Sequence, residues 1–244
     1  MKQPSTHVDF DKNPPMPLDA YVQTVRSVNI GYNLTFQLTA SFLCALGKPD
    51  LHILVVGAGG GAEVERFLPH NPGWKITGVD PSQQMLALAQ AKVDQLKLAD
   101  RVTLLEGTVE QLKSEARFDA ATCLYVLHFL PDAAKLSLLR SIKDHLQPGA
   151  PLYLISGVRP DTADIDMTNP TLSADFQGAW RQYGESMGMP AERMASIVAG
   201  LTEQMSRPEA ATAARVQELV HEAGFTYAAP FCSILGSMYC WVVR

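Results

Sequence analysis

The chain has 244 residues, of which 47% are hydrophobic and 18% charged, and its formal net charge is -5. That length holds one large or two small domains with a substantial buried core. The acidic balance argues against general attraction to nucleic acid or anionic lipid. Cys44, Cys123, Cys232 and Cys240 form no CxxC pair and no metal-ligand spacing, so small thiols in a reducing cytosol are expected and no metal. The first residues lack the apolar core of a signal peptide, and no run approaches the roughly 18 apolar residues of a membrane span. The expectation is a cytoplasmic protein without membrane or nucleic-acid partners.

Pro4, Pro14, Pro15 and Pro17 predict an extended arm over residues 1–17. From Leu18 to Leu46 apolar residues recur at helical spacing. Gly31 interrupts them, which predicts two helices with a break near Gly31-Tyr32-Asn33; Gly47 and Pro49 close the second. An alternation follows. Strands are predicted at Leu51–Val56, Lys75–Val79, Val102–Glu106, Phe118–Leu124 and Pro151–Ser156. Between them helices begin at Ala62–Phe67 and run over Ser82–Lys97, with Ser82 as N-cap, and Asp132–Leu146. Strands separated by helices argue for βαβ units and a parallel sheet. Residues 157–208 show no strand pattern but carry Phe176, Trp180, Tyr183, Met167, Met187, Met189, Met194 and Met205. The stretch exceeds an ordinary crossover and reads as two or three helices forming a cap over 158–208. Glu209–Ala223 is the last crossover helix, and Phe225–Ala229 and Ser237–Val243 are two strands joined by a bend. The whole of 18–244 is expected as one α/β domain, with 18–46 as lid helices.

The chemistry is concentrated at strand ends. Val56-Gly57-Ala58-Gly59-Gly60-Gly61 follows the first strand, and Asp80, followed by Pro81 and Ser82, ends the second, about twenty residues beyond the glycines. Bare glycines let the main chain approach a ligand, and a carboxylate there accepts from ribose hydroxyls. The same glycines also fit a dinucleotide pattern, Gly57-Ala-Gly59-Gly-Gly-Ala62, which keeps a nicotinamide-dependent oxidoreductase open as an alternative. After the third strand, Gly107, Thr108 and Val109 can bracket a base. Leu124, Tyr125 and His128 stand where the fourth strand runs out, outside the carboxyl ends where open sheets bind ligands. His128 is a candidate general base or a packing histidine beside the cofactor. Tyr32 either leans over the pocket or packs in the core. Phe176 and Trp180 either line an acceptor pocket or form the cap's own core.

In order and spacing, these motifs resemble the class I S-adenosylmethionine-dependent methyltransferases over residues 50–157. The resemblance rests on Val56–Gly61, Gly78-Val-Asp80, Glu106-Gly-Thr108, Phe118-Asp-Ala with Leu127-His-Phe-Leu, and Leu146-Gln-Pro-Gly149. It implies a Rossmann-like, mostly parallel seven-stranded sheet with an antiparallel last strand, and S-adenosyl-L-methionine as cofactor. It also implies that Gly57, Ala58 and Gly59 flank the amino-acid part, Asp80 and Pro81 meet the ribose, and Met85 and 107–109 meet the adenine. The acid often found two residues before the first glycine is Val55 here, and the acid often found after Gly107 is Thr108. The reaction implied is methyl transfer to a small-molecule acceptor. Gly31-Tyr-Asn, Glu222-Ala-Gly-Phe225 and Gly236-Ser-Met-Tyr are also similar to the carboxy-S-adenosylmethionine synthase group, which implies a homodimer and places Tyr32 at the cofactor. Carboxyl transfer would need a cation near the methyl position, for which Arg159, Arg181, Arg193 and Arg215 are available; Leu219 stands where that group carries its arginine.

Overall fold

The computed structural model describes residues 10–12, 18–69, 71–161, 169–206 and 210–244. Seven strands form one sheet: β1 (His52–Val56), β2 (Lys75–Asp80), β3 (Val102–Glu106), β4 (Ala120–Leu124), β5 (Leu152–Gly157), β6 (Ala228–Ile234) and β7 (Met238–Val243). Their spatial order is β3-β2-β1-β4-β5-β7-β6. The first five pair in parallel, and β7 inserts antiparallel to both β5 and β6. The parallel part follows from the alternation of elements, and the whole is the Rossmann-like sheet with an antiparallel last strand that the resemblance implies.

The central strands read as unbroken apolar runs because both faces of the sheet are covered. Side chains alternate across a strand, so Ile53 and Val55 face one helical layer while Leu54 and Val56 face the other. On the first face lie α2 (Tyr32–Cys44), α3 (Ala62–Phe67) and α4 (Gln83–Leu96), contributing Phe36, Phe67 and Val93. On the second lie α5 (Asp132–Asp144) and α8 (Ala213–Glu222), contributing Leu139, Ile142, Val216 and Leu219. Each such side chain taken fully out of water contributes about 1.5–3 kcal/mol before its ordering cost.

The reversal of the chain between β1 and β4 matters most for function. From β1 the chain moves outward to β2 and β3, then returns across β1 to β4. In open sheets of this order the ligand crevice lies at the carboxyl ends, where the loops leaving β1 and β4 begin.

Several boundaries differ from the sequence reading. Phe118 forms only a bridge to Leu146, so β4 starts at Ala120. The last helix begins at Ala213 because the Thr212 hydroxyl accepts from the Arg215 N–H at 3.1 Å and caps it there. β6 starts three residues after Phe225 and runs through Pro230, with a register shift between Pro230 and Cys232. An edge strand tolerates a residue with no N–H to donate, and β6 is the edge.

The region after β5 forms two helices, α6 (Pro170–Ser186) and α7 (Ala191–Ser206). They approach closely at Gly184, where an added Cβ would sit 2.2 Å from the Met194 sulfur. The pair docks on the end of α1 (Leu18–Val28) through Val28, Trp180, Met194 and Val198. Met167, the Met205 side chain and most of the predicted arm lie outside the described residues. Among the described residues, no helix is long and apolar enough to cross a membrane.

Candidate active site

The glycine loop is shaped by what it must avoid. Gly57, Gly59 and Gly61 have φ of +72°, +43° and +74°, the left-handed region that side chains rarely enter. The N–H groups of Gly57 and Ala58 both donate to the Val79 carbonyl, at 2.9 and 3.0 Å, binding the loop to the end of β2. A Cβ at position 57 would lie 2.3 Å from Cγ2 of Val126, in the loop leaving β4.

Asp80 is the second anchor. It is buried, and its two oxygens are held by main chain: Oδ2 accepts from Gly59 N–H at 2.9 Å and Oδ1 from Ser82 N–H at 2.9 Å. A carboxylate has about four lone-pair sites, so two remain to accept from a ligand. Burial raises its pKa, the two backbone bonds oppose that, and the nearby Asp11 adds to the rise. Pro81 is exposed beside it, while Met85 is buried and sends its methyl toward Gly59.

The turn after β3 joins the same cluster through Gly107, whose N–H donates to the Asp80 carbonyl at 3.0 Å. Thr108 N–H is already engaged by Gln111 Oε1 at 2.8 Å. The Val109 side chain is wholly buried in the core beneath. The Thr108 side chain is itself engaged in capping the short turn that follows and by Glu110, so of these two residues the Val109 N–H is the group that can meet a ligand.

At the end of β4, Leu124 is buried and Tyr125 adopts a positive φ of +64°. That turn carries the Tyr125 hydroxyl to 2.8 Å from the Thr35 hydroxyl on α2. Tyr32, the first residue of α2, lies with its ring centroid 5.3 Å from that of Tyr125. Burial raises the pKa of both phenols, so they stay protonated as hydrogen-bonding groups. His128 is placed nearby, where its Nδ1 accepts from Gly157 N–H at 3.2 Å. Burial, and then the Lys135 charge, lower its pKa to about 4. Near neutral pH the ring is therefore uncharged with its proton on Nε2, and the lone pair at Nδ1 is occupied. In this arrangement His128 offers an N–H donor.

The cap residues behave differently. Trp180 donates from Nε1 to the Val28 carbonyl at 2.5 Å and packs on Val28, Met194 and Val198. Phe176 is half-buried on α6. Among the described residues no ring contact joins either to Tyr125 or His128. The four arginines are likewise committed or remote. Arg215 bonds Asp132, Glu218 and Glu222 at 3.0, 2.9 and 2.8 Å, Arg159 reaches the Ala210 carbonyl, and Arg181 and Arg193 are exposed.

Sequence reasoning missed four contributors. Phe10 meets the rings of Tyr21 and Phe129 edge-on at 5.7 and 5.8 Å, which ties this part of the N-terminal arm to α1 and to the segment after β4. Asp11 caps α4: its carboxylate accepts from Ser82 Oγ at 2.6 Å and from the Gln84 N–H at 3.1 Å. Tyr21 is close enough to Asp80 that the carboxylate, after burial, raises its pKa to about 12. Glu63, just beyond the glycines, is buried facing inward. An acid on a short helix gives no local sign of pointing into the protein; Asp11 alone, as a cap-type residue ahead of a helix's partner loop, carried a weak signal.

Comparison with known proteins agrees with this geometry. Residues 54–152 match the family model described as a methyltransferase domain. The chain is 34% identical over 109 residues to a ubiquinone biosynthesis O-methyltransferase of Pseudoalteromonas translucida, covering 44% of each. It is 41% identical over 91 residues to a demethylmenaquinone methyltransferase of Lactiplantibacillus plantarum, covering 37% of each. The matches therefore span less than half the length of these relatives. Among solved structures, an O-methyltransferase family protein of Burkholderia thailandensis superposes with a TM-score of 0.62 at 16% identity, covering 93% of this chain and 59% of that one. Magnesium protoporphyrin IX methyltransferase of Synechocystis, with bound S-adenosylhomocysteine, gives 0.59 at 16% identity over 92% of both chains. Residues 54–152 thus carry the features of a methyltransferase domain, and the glycine loop, Asp80 and the strand order are those that the resemblance to the class I S-adenosylmethionine-dependent methyltransferases implies.

Proposed function

We propose that this protein transfers a methyl group from S-adenosyl-L-methionine to an oxygen of a small-molecule acceptor. The observation that carries the reading is Asp80, buried at the end of β2 and oriented by Gly59 and Ser82 with acceptor capacity to spare. The donor set fits the cofactor: a carboxylate for ribose hydroxyls, glycines that bare the main chain, and Met85 against the loop. When bound, the cofactor would supply an electrophilic sulfonium methyl for an acceptor oxygen whose own proton leaves to solvent.

The protein's work is then alignment and exclusion of water. Tyr125 and Tyr32 wall the crevice beside β4, and Phe10, Tyr21 and Phe129 pack together on the arm side. Such a lining suits a flat, apolar acceptor, as do the relatives named for ubiquinone and menaquinone biosynthesis and the neighbour named for a magnesium porphyrin. His128 can donate from Nε2 to the acceptor and orient it; this assignment replaces the general-base role considered from sequence. Phe176 lies at the half-buried face of α6 and is proposed as a cap-side boundary of the acceptor. Carboxyl transfer is the weaker reading, because Arg215 is saturated by carboxylates.

Calorimetry with S-adenosylhomocysteine and with NADH tests the proposal, alongside mass spectrometry of what copurifies. Binding of the nucleoside thioether with no response to NADH supports it. Binding of NADH alone, or recovery of a carboxylated cofactor, overturns it.

A further inference from the structure

Two acids occupy the first turn of α3, and they are treated in opposite ways. Glu65 faces outward and is paired with Arg26 and, at 3.4 Å, with Lys92. Glu63 is turned inward and is only 4% exposed. Among the described residues its carboxylate makes no hydrogen bond or ion pair to another residue; its own backbone N–H is its one hydrogen-bonding partner. Arg66 attracts it from a distance, but that guanidinium is already bonded to Asn33 Oδ1 at 2.5 Å and lies over the rings of Tyr32 and Phe36.

What surrounds Glu63 defines where it sits. Tyr32 on α2 and Cys123 on β4 are near enough to interact electrostatically with its carboxyl, and the charge of Asp80 on β2 acts on it in turn. α2, β2 and β4 thus all border the space around Glu63, which follows directly on the glycine loop. Residues that could have provided an acceptor from the sheet do not: Val55 on β1 is apolar and packed in the core. A nucleoside carrying an amino-acid tail brings an ammonium group into this space, and a carboxylate is the strongest acceptor for it. A buried carboxyl whose one hydrogen-bonding partner is its own backbone N–H is costly unless something completes it.

We propose that Glu63 receives the α-ammonium group of the cofactor's amino-acid portion, an assignment that rests on the cofactor reading above. Without ligand, burial holds Glu63 at a pKa of about 8, so it is mostly protonated near neutrality. Arrival of the ammonium favours the carboxylate, and the displaced proton goes to solvent.

The test compares two ligands on the full chain by calorimetry: S-adenosylhomocysteine and S-(5′-adenosyl)-4-mercaptobutyrate, the same thioether without its amino group. Glu63→Gln should weaken the first by about 10- to 100-fold, the range for a charged hydrogen bond, and leave the second within about twofold. Gln matches the size of the neutral acid, and a thermal melt checks its fold. Equal losses on both ligands, or no loss on either, would overturn the assignment. A second readout needs no variant. Titrations at pH 7 in buffers of different ionisation enthalpy should show roughly one proton released per S-adenosylhomocysteine bound, and none for the amino-free ligand. Absence of that release would also overturn it. A wild-type protein that bound neither compound would bring down the cofactor reading itself, a distinct result.

Discussion

Glu63 makes a quantitative prediction about the unliganded protein. Its pKa is raised from 4.5 to about 8, chiefly by burial, with the charge of Asp80 adding to the rise. In the folded state the proton is therefore held across a pH range in which the unfolded chain has released it. The native state binds more protons there, so stability falls as pH rises through that window. Each pH unit between the two values costs about 1.4 kcal/mol, which gives roughly 3 kcal/mol at pH 7 and an upper limit near 5 kcal/mol above pH 8. Glu63→Gln removes the titration and keeps the shape. Denaturant unfolding of both proteins at intervals from pH 5 to pH 9 measures the difference, since all other groups titrate alike and cancel. The variant should be nearly equal to wild type at pH 5 and progressively more stable, by about 2–3 kcal/mol at pH 7, with the gap levelling off beyond pH 8. A gap that stays constant across the range would refute the argument, because it would mean that Glu63 is not held neutral by burial. The expected sign matters: a residue whose removal stabilises the empty protein is retained for something other than folding.

Asp80→Asn keeps the volume but sets an amide N–H against either Gly59 N–H or Ser82 N–H; it should weaken S-adenosylhomocysteine binding by about 1.5–3 kcal/mol in calorimetry, and unchanged affinity would place the ribose elsewhere. Gly57→Ala drives a Cβ to 2.3 Å from Val126 at a φ of +72°, so the melting temperature should drop by several degrees for a loss of about 1–3 kcal/mol; an unaltered melt would mean the loop is free to rearrange. Asp11→Ala removes a cap from α4 and should cost about 1 kcal/mol, with faster amide exchange at Gln83 and Gln84 as the local signature. Trp180→Ala empties the junction between the cap and α1 and should cost about 3 kcal/mol, read by denaturant unfolding, with S-adenosylhomocysteine affinity little changed because the indole is committed to Val28.

The order of elements was legible because it is written in local patterns. Apolar runs at Ile53–Val56 and Leu152–Ile155 have no polar alternation, as strands covered on both sides require. The glycines at 57, 59 and 61 advertise backbone conformations that other residues avoid, and Asp80 ends its strand at a predictable distance. Boundaries shifted where a single contact decided them, as Thr212 did for α8 and the sheet edge did for Pro230.

Sequence alone thus determined the sheet, the glycine loop and the acid beside it, since each depends on periodicity or on steric rules acting within a few residues. Tertiary structure decided the rest: that Glu63 turns inward while Glu65 turns out, that His128 spends its Nδ1 lone pair on Gly157, that Trp180 secures the cap, and that Phe10 and Asp11 tie the arm to α1 and α4. Those outcomes depend on which groups from distant parts of the chain share a solvent-free space. Burial and partner geometry, which set charge and proton position, come into being only when the elements pack.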